Sequence, residues 1–149
     1  MIRRLYVNNF RCLENFDLPL SDRSSSLLIG KNGAGKSAIS YALEILQSIA
    51  RGVNRTKDIV KPSDFSRLRS DVPIRIEIEV ILAGKIYIYT LAFELPAGLR
   101  EVRVSEEKLS VDSRPIYSRE LSQVKIARTN EGMGAGFSLD WHLVALPVI

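Results

Sequence analysis

Gly30-Lys31-Asn32-Gly33-Ala34-Gly35-Lys36-Ser37 is the stretch on which the reading of this sequence turns. Immediately before it, Leu27-Leu28-Ile29 reads as a buried strand. Immediately after it, Ile39, Ala42, Leu43, Leu46 and Ile49 recur at helical spacing and predict a helix over 38–50. Strand, glycine-rich loop, Lys-Ser and helix in this order are the context that a phosphate-cradling loop requires. Glycines let the backbone curl so that several N–H groups converge on one phosphate without a Cβ in the way. The following helix adds its positive dipole end and its unpaired N–H groups. Lys36 supplies a mobile charge for the β- and γ-phosphates, and the Ser37 hydroxyl is placed to bind Mg²⁺. The competing reading, a glycine-rich turn that caps a helix with Ser37 bonding locally, is outweighed by that context. A dinucleotide fingerprint is the weaker match, because Gly-Lys-Ser occupies the end of the glycine stretch. The stretch implies a bound nucleoside triphosphate.

The 149 residues match the size of one domain, and the apolar and charged fractions of 46% and 26% are those of a soluble globular protein. A net charge of +4 leans toward an acidic partner, yet charges of both signs are interspersed and a solvated surface explains it equally well. One cysteine, Cys12, excludes an internal disulfide and a Cys-rich metal site, and it reads as a buried, inert thiol. With no apolar leader and no run long enough for a membrane span, the expectation is a cytoplasmic protein without membrane contact.

Outward from the loop, Ile2 to Phe10 alternates as a strand, and Phe16, Leu18 and Leu20 form a second, which Pro19 marks as an edge. The helix is expected to end near Arg51-Gly52, completing a first part over 1–52. A polar connector follows over 53–72, with a short helical turn at Ser63-Asp64 carrying Phe65 and Leu68. Residues 73–142 change to period two and predict an antiparallel β lobe. Ile74, Ile76 and Ile78 share one face of its first strand, and Tyr89, Leu91 and Phe93 share one face of the second. Val102 and Val104 are out of phase with Leu109 and Val111, which predicts a bulge near Glu106-Glu107. The glycine-rich stretch 130–136 reads as a turn. Residues 143–149 are an apolar end, expected to mark a truncation of something longer.

Hydrolysis by such a protein also needs an acidic strand end for Mg²⁺ and a group that orients water. No run of four apolar residues followed by Asp is present, and Asp140 and His142 read as surface or packing residues. No catalytic residue is assigned; the chain can hold a nucleotide but carries no recognisable hydrolytic apparatus.

The opening Leu5-Tyr6-Val7-Asn8-Asn9-Phe10-Arg11, the loop with Asn32-Gly33 at its centre, Pro62-Ser63-Asp64-Phe65 and the ending Trp141 to Pro147 together resemble one group. They are similar to the N-terminal part of ABC-type P-loop ATPase heads of the RecF, SMC and OLD-nuclease group, in particular AAA-labelled, OLD-like bacterial ATPases. The resemblance implies an α/β fold: a mixed sheet, one main helix after the P-loop and an antiparallel β-meander. It implies ATP and Mg²⁺ as cofactors, with Gly30, Lys31, Asn32, Gly33, Ala34, Gly35, Lys36 and Ser37 around the phosphates, Ser37 on the metal and Arg11 approaching the phosphates. It further implies a partnership with a C-terminal half or a second chain, a dimer when complete, and contact with DNA through the whole assembly, in repair, chromosome handling or phage defence. Gln123 is the one glutamine after the helix available for a Mg²⁺-holding role, although a surface position suits its surroundings better. The rival readings are a non-catalytic, ATP-dependent docking module and, least favoured, a P-loop kinase or GTPase. Arg51, Arg55, Lys57, Lys61, Arg67 and Arg69 form a basic segment that suits nucleic acid or a solvated loop alike.

Overall fold

Period-two alternation puts Leu5 and Val7 on one side of β1 (Ile2–Asn8) and Arg4 and Tyr6 on the other. The computed structural model describes residues 1–21, 25–31, 33, 35–127 and 134–149. In chain order, β1 is followed by β2 (Phe16–Pro19), α1 (Lys36–Ala50), α2 (Thr56–Ile59) and β3 (Ile74–Leu82). Then come β4 (Lys85–Glu94), β5 (Arg103–Val111), β6 (Arg114–Glu120), β7 (Gln123–Ile126) and β8 (Gly136–Ser138). The eight strands make one sheet in the order β2-β1-β3-β4-β5-β6-β7-β8. β2 sits at an edge, where the missing N–H of Pro19 interrupts no ladder.

Every recorded pairing is antiparallel, including β1 with β3 across the connector. This corrects the expected mixed sheet. It goes with a second correction: Leu27-Leu28-Ile29 is not a buried strand. The segment is irregular, and Leu27 and Ile29 are 82% and 86% exposed. An extended segment becomes a strand only against a partner edge. Residues 25–31 pair with none among the described residues, so Leu27 and Ile29 stay exposed while Leu28 is 43% exposed beside Ile39 and Leu43.

The apolar face of the sheet carries Leu5, Val7, Ile74, Ile76, Leu91, Phe93, Val104 and Tyr117, and α1 packs there through Ala38, Ile39, Ala42, Ile45, Leu46 and Ile49. The opposite face is a charged ladder. Arg4 bonds Asp17 and Glu77 at 2.7 and 2.6 Å, Arg3 meets Glu79 at 3.0 Å, and Arg75 and Lys108 meet Glu106 at 2.8 and 2.5 Å. Such partly exposed pairs add little stability individually but keep this face soluble.

The bulge in β5 falls at Ser105, one residue before the expected position: Ala92 pairs with Glu106 and Phe93 with Val104. The extra residue changes the phase, so Val104 and Glu107 both face the core. β1 stops at Asn8 rather than Phe10, since Asn9 and Arg11 both adopt a left-handed φ of 54°. In the connector, short 3-10 turns span Pro62–Asp64 and Ser66–Leu68, burying Phe65 and leaving Leu68 exposed. Among the described residues, no helix is long and apolar enough to cross a membrane.

Candidate functional site

Helix α1 opens directly out of the glycine loop, with Gly35 as its N-cap at φ 92°. A left-handed φ at that point requires glycine for a second reason. A Cβ there would lie 3.1 Å from Leu13 Cδ2 and 3.4 Å from Cys12 Sγ, so the loop packs tightly against the β1–β2 turn. The first turn of α1 holds no acidic residue, and its leading N–H groups have no partner within the helix. The helix ends at Ala50 with Arg51 as its C-cap, followed by Gly52 at φ 101°, close to where the glycine signal puts the end.

Arg11, Gly33, Gly35, Lys36 and Ser37 line one open cavity of about 450 Å³, together with Cys12 and Ala38. Two cationic side chains and a hydroxyl therefore meet at the start of a helix, with no carboxylate on the described lining. That donor set suits an anion. Lys36 Nζ folds over the loop and donates to the carbonyl oxygens of Gly30 and, at 2.9 Å, of Lys31. Gly30 and Lys31 thus take part through their backbones, while Asn32 and Ala34 lie outside the described residues. So do residues 128–133 of the glycine-rich stretch. Cys12 is exposed on the cavity wall, which corrects the expectation of a buried thiol. The tight turn at 9–15, with its left-handed residues, carries it to the surface instead of into the core.

Arg11 is held on three sides. Its Nε donates to Asp64 Oδ1 at 3.0 Å, and its backbone N–H donates to Asp64 O at 2.6 Å. Its guanidinium carbon lies 4.0 Å from the centroid of Tyr41, which stacks on Phe10 at 5.6 Å and 21°. Burial raises the Tyr41 hydroxyl pKa, and the Asp64 charge adds to this, so the phenol stays protonated. Neither Asp64 nor Tyr41 was singled out from the sequence as a site residue. Asp64 was legible as the start of a turn, and nothing local connects it to Arg11, 53 positions away.

The other candidates lie elsewhere. Gln123 is exposed on β7, where it donates to Ser138 Oγ at 3.0 Å. His142 Nδ1 sits 3.2 Å from Asp140 Oδ1, and the His142 backbone N–H, which also bonds that oxygen, is the main cause holding the Asp140 carboxyl below its usual range.

The cavity residues and the contacts of Arg11 lie within a stretch that matches known proteins: the AAA ATPase domain family matches residues 1–130. The chain belongs to that family. Two relatives support a likeness to the N-terminal portions of RecF/SMC/OLD-like ATPases. It is 48% identical over 46 residues to an OLD nuclease of Thermus scotoductus, a match covering 31% of this chain and 8% of the relative. It is 38% identical over 69 residues to the structural maintenance of chromosomes protein 6 of Saccharomyces cerevisiae, covering 44% of this chain and 6% of the relative. The chain thus spans under a tenth of the length of either relative. Membership of the AAA ATPase domain family implies nucleotide binding, generally with a metal, and the cationic, hydroxyl-bearing cavity at the head of α1 is chemically suited to it.

Proposed function

We propose that this chain is the ATP-binding N-terminal lobe of an ABC-type ATPase head. The supporting observation is the convergence of Lys36, Arg11 and Ser37 on one cavity at the start of α1. In this reading the backbone of residues 30–37 wraps the phosphates. Lys36 exchanges the carbonyls of Gly30 and Lys31 for phosphate oxygens, and Arg11 adds a second positive charge. Ser37 offers its hydroxyl to Mg²⁺, which would neutralise phosphate charge when bound. One hydroxyl is a small share of an octahedral shell, so the other oxygens would come from the phosphates, water and groups outside this lobe.

Hydrolysis, in the same reading, draws on a C-terminal half or a second chain, and the complete head works as a dimer linked to DNA. The names of the two relatives, a nuclease and a chromosome-maintenance protein, support that association. A second reading, ATP-dependent docking of a partner protein, is favoured by an apolar groove of about 550 Å³ between α1 and the sheet, lined by Ile2, Leu43, Leu46, Ile78, Val80 and Leu146 among others.

The test is Mg²⁺–ATP affinity by titration calorimetry for the wild type and Lys36→Ala. Losing a charged contact to phosphate is expected to cost about 1–3 kcal/mol. Equal affinity in the two proteins would overturn the assignment.

A further inference from the structure

Asp64 and Arg11 form an asymmetric pair. The Asp64 side chain is 5% exposed and the Arg11 side chain 42%, so one end is anchored inside the protein and the other reaches the open cavity. A buried carboxylate must be satisfied, and Asp64 has two donors: Arg11 Nε at 3.0 Å and the Lys61 backbone N–H at 2.9 Å. The second bond pins Asp64 to its own turn, so its position does not depend on Arg11. Contact through Nε also matters chemically. A guanidinium carries five N–H donors in a rigid fork, and holding it by the Nε–H fixes its plane without using the four terminal ones. Tyr41 supports that plane from α1, the helix that begins at the P-loop. The left-handed backbone at Arg11, φ 54°, is secured by the Arg11 N–H bond to Asp64 O.

We propose that Asp64 is a positioning residue for nucleotide binding: it orients Arg11 so that the terminal nitrogens of its guanidinium meet phosphate in the P-loop cavity. The proposal rests on the reading of that cavity as a nucleotide site. Asp64 is itself an anion and touches no phosphate. It acts by removing the rotational freedom that a long arginine would otherwise lose on binding.

A double-mutant cycle on Mg²⁺–ATP affinity tests it, using wild type, Asp64→Asn, Arg11→Ala and the double variant, with Lys36→Ala alongside. Asparagine keeps the shape of the buried side chain, and thermal melts establish folding. Asp64→Asn is expected to weaken binding by about tenfold when Arg11 is present and to add no further loss in the Arg11→Ala background. No loss from Asp64→Asn, or the same loss in both backgrounds, would overturn the positioning role. Unchanged affinity in Lys36→Ala would instead sink the nucleotide reading, so the two failures are distinguishable. Should Asp64→Asn not fold, the wild-type Arg11 Nε–H is followed by ¹⁵N NMR, assigned by its disappearance in Arg11→Lys. A slowly exchanging resonance that shifts with Mg²⁺–ATP is expected; one unmoved at saturation would overturn the proposal.

Discussion

Glu107 and Arg119 face each other across β5 and β6 at 3.7 Å, with neither side chain exposed. Glu107 accepts hydrogen bonds from Tyr89 and Tyr117 hydroxyls at 2.9 and 2.7 Å and from the backbone N–H groups of Ala145 and Leu146 at 2.7 and 2.9 Å. Arg119 donates to the carbonyls of Leu121, Leu143 and Asp140. Burial and the Glu107 charge push both tyrosine hydroxyls well above their ordinary pKa, which keeps them donors. This polar cluster ties residues 140–146 to the sheet.

Removing the carboxylate leaves a buried guanidinium without its counter-charge and two backbone N–H groups without acceptors. Glu107→Ala is expected to destabilise the fold by about 3–5 kcal/mol, and Glu107→Gln by less, because one acceptor oxygen survives. Urea unfolding followed by fluorescence of Trp141, the single tryptophan, reads the difference from within the tethered segment. A loss below about 1 kcal/mol for the alanine variant would show that the cluster does not hold it.

Gly33 and Gly35 share a left-handed φ, 87° and 92°, but not their surroundings. A Cβ on Gly33 meets nothing described within 4 Å, whereas one on Gly35 meets Leu13 and Cys12. Gly33→Ala should therefore cost only the conformational strain, about 1–2 kcal/mol, and Gly35→Ala should cost more. Thermal denaturation of the two variants decides it, with equal losses counting against the packing account.

Cys12 offers a probe of the cavity that leaves the binding residues untouched. Its thiol is exposed beside Gly35 and Lys36, so a thiol reagent is expected to label it, and Mg²⁺–ATP to slow that labelling. The protection should vanish in Lys36→Ala. A labelling rate indifferent to saturating nucleotide would argue that the ligand sits elsewhere.

Glu106 sets an acid limit on the charged face. Burial works against its ionisation, but the bond from Lys108 and the charges of Arg75 and Lys108 outweigh that and hold its pKa below the ordinary 4.5. A carboxylate lowered in the folded state contributes its stability above the unfolded pKa and loses it as pH falls through the folded one. Wild type is expected to be more stable than Glu106→Gln at about pH 6, with the gap closing toward about pH 3. Denaturant melts across that window check the sign.

Local pattern alone located the glycine loop, the amphipathic helix behind it and the period-two strands, because backbone curvature, helical spacing and strand alternation are all written within a few neighbouring residues. What lay beyond it depends on partners far away in the chain. Leu27-Leu28-Ile29 has the composition of a strand but pairs with no strand among the described residues, and it is irregular. Glu107 looks like a surface residue of an alternating strand until the extra residue at Ser105 turns it inward toward Arg119. Asp64 reads as a turn residue until folding sets it beside Arg11. Charge burial and strand pairing are decided by what tertiary contact brings within a few ångströms, and only the folded structure contains that information.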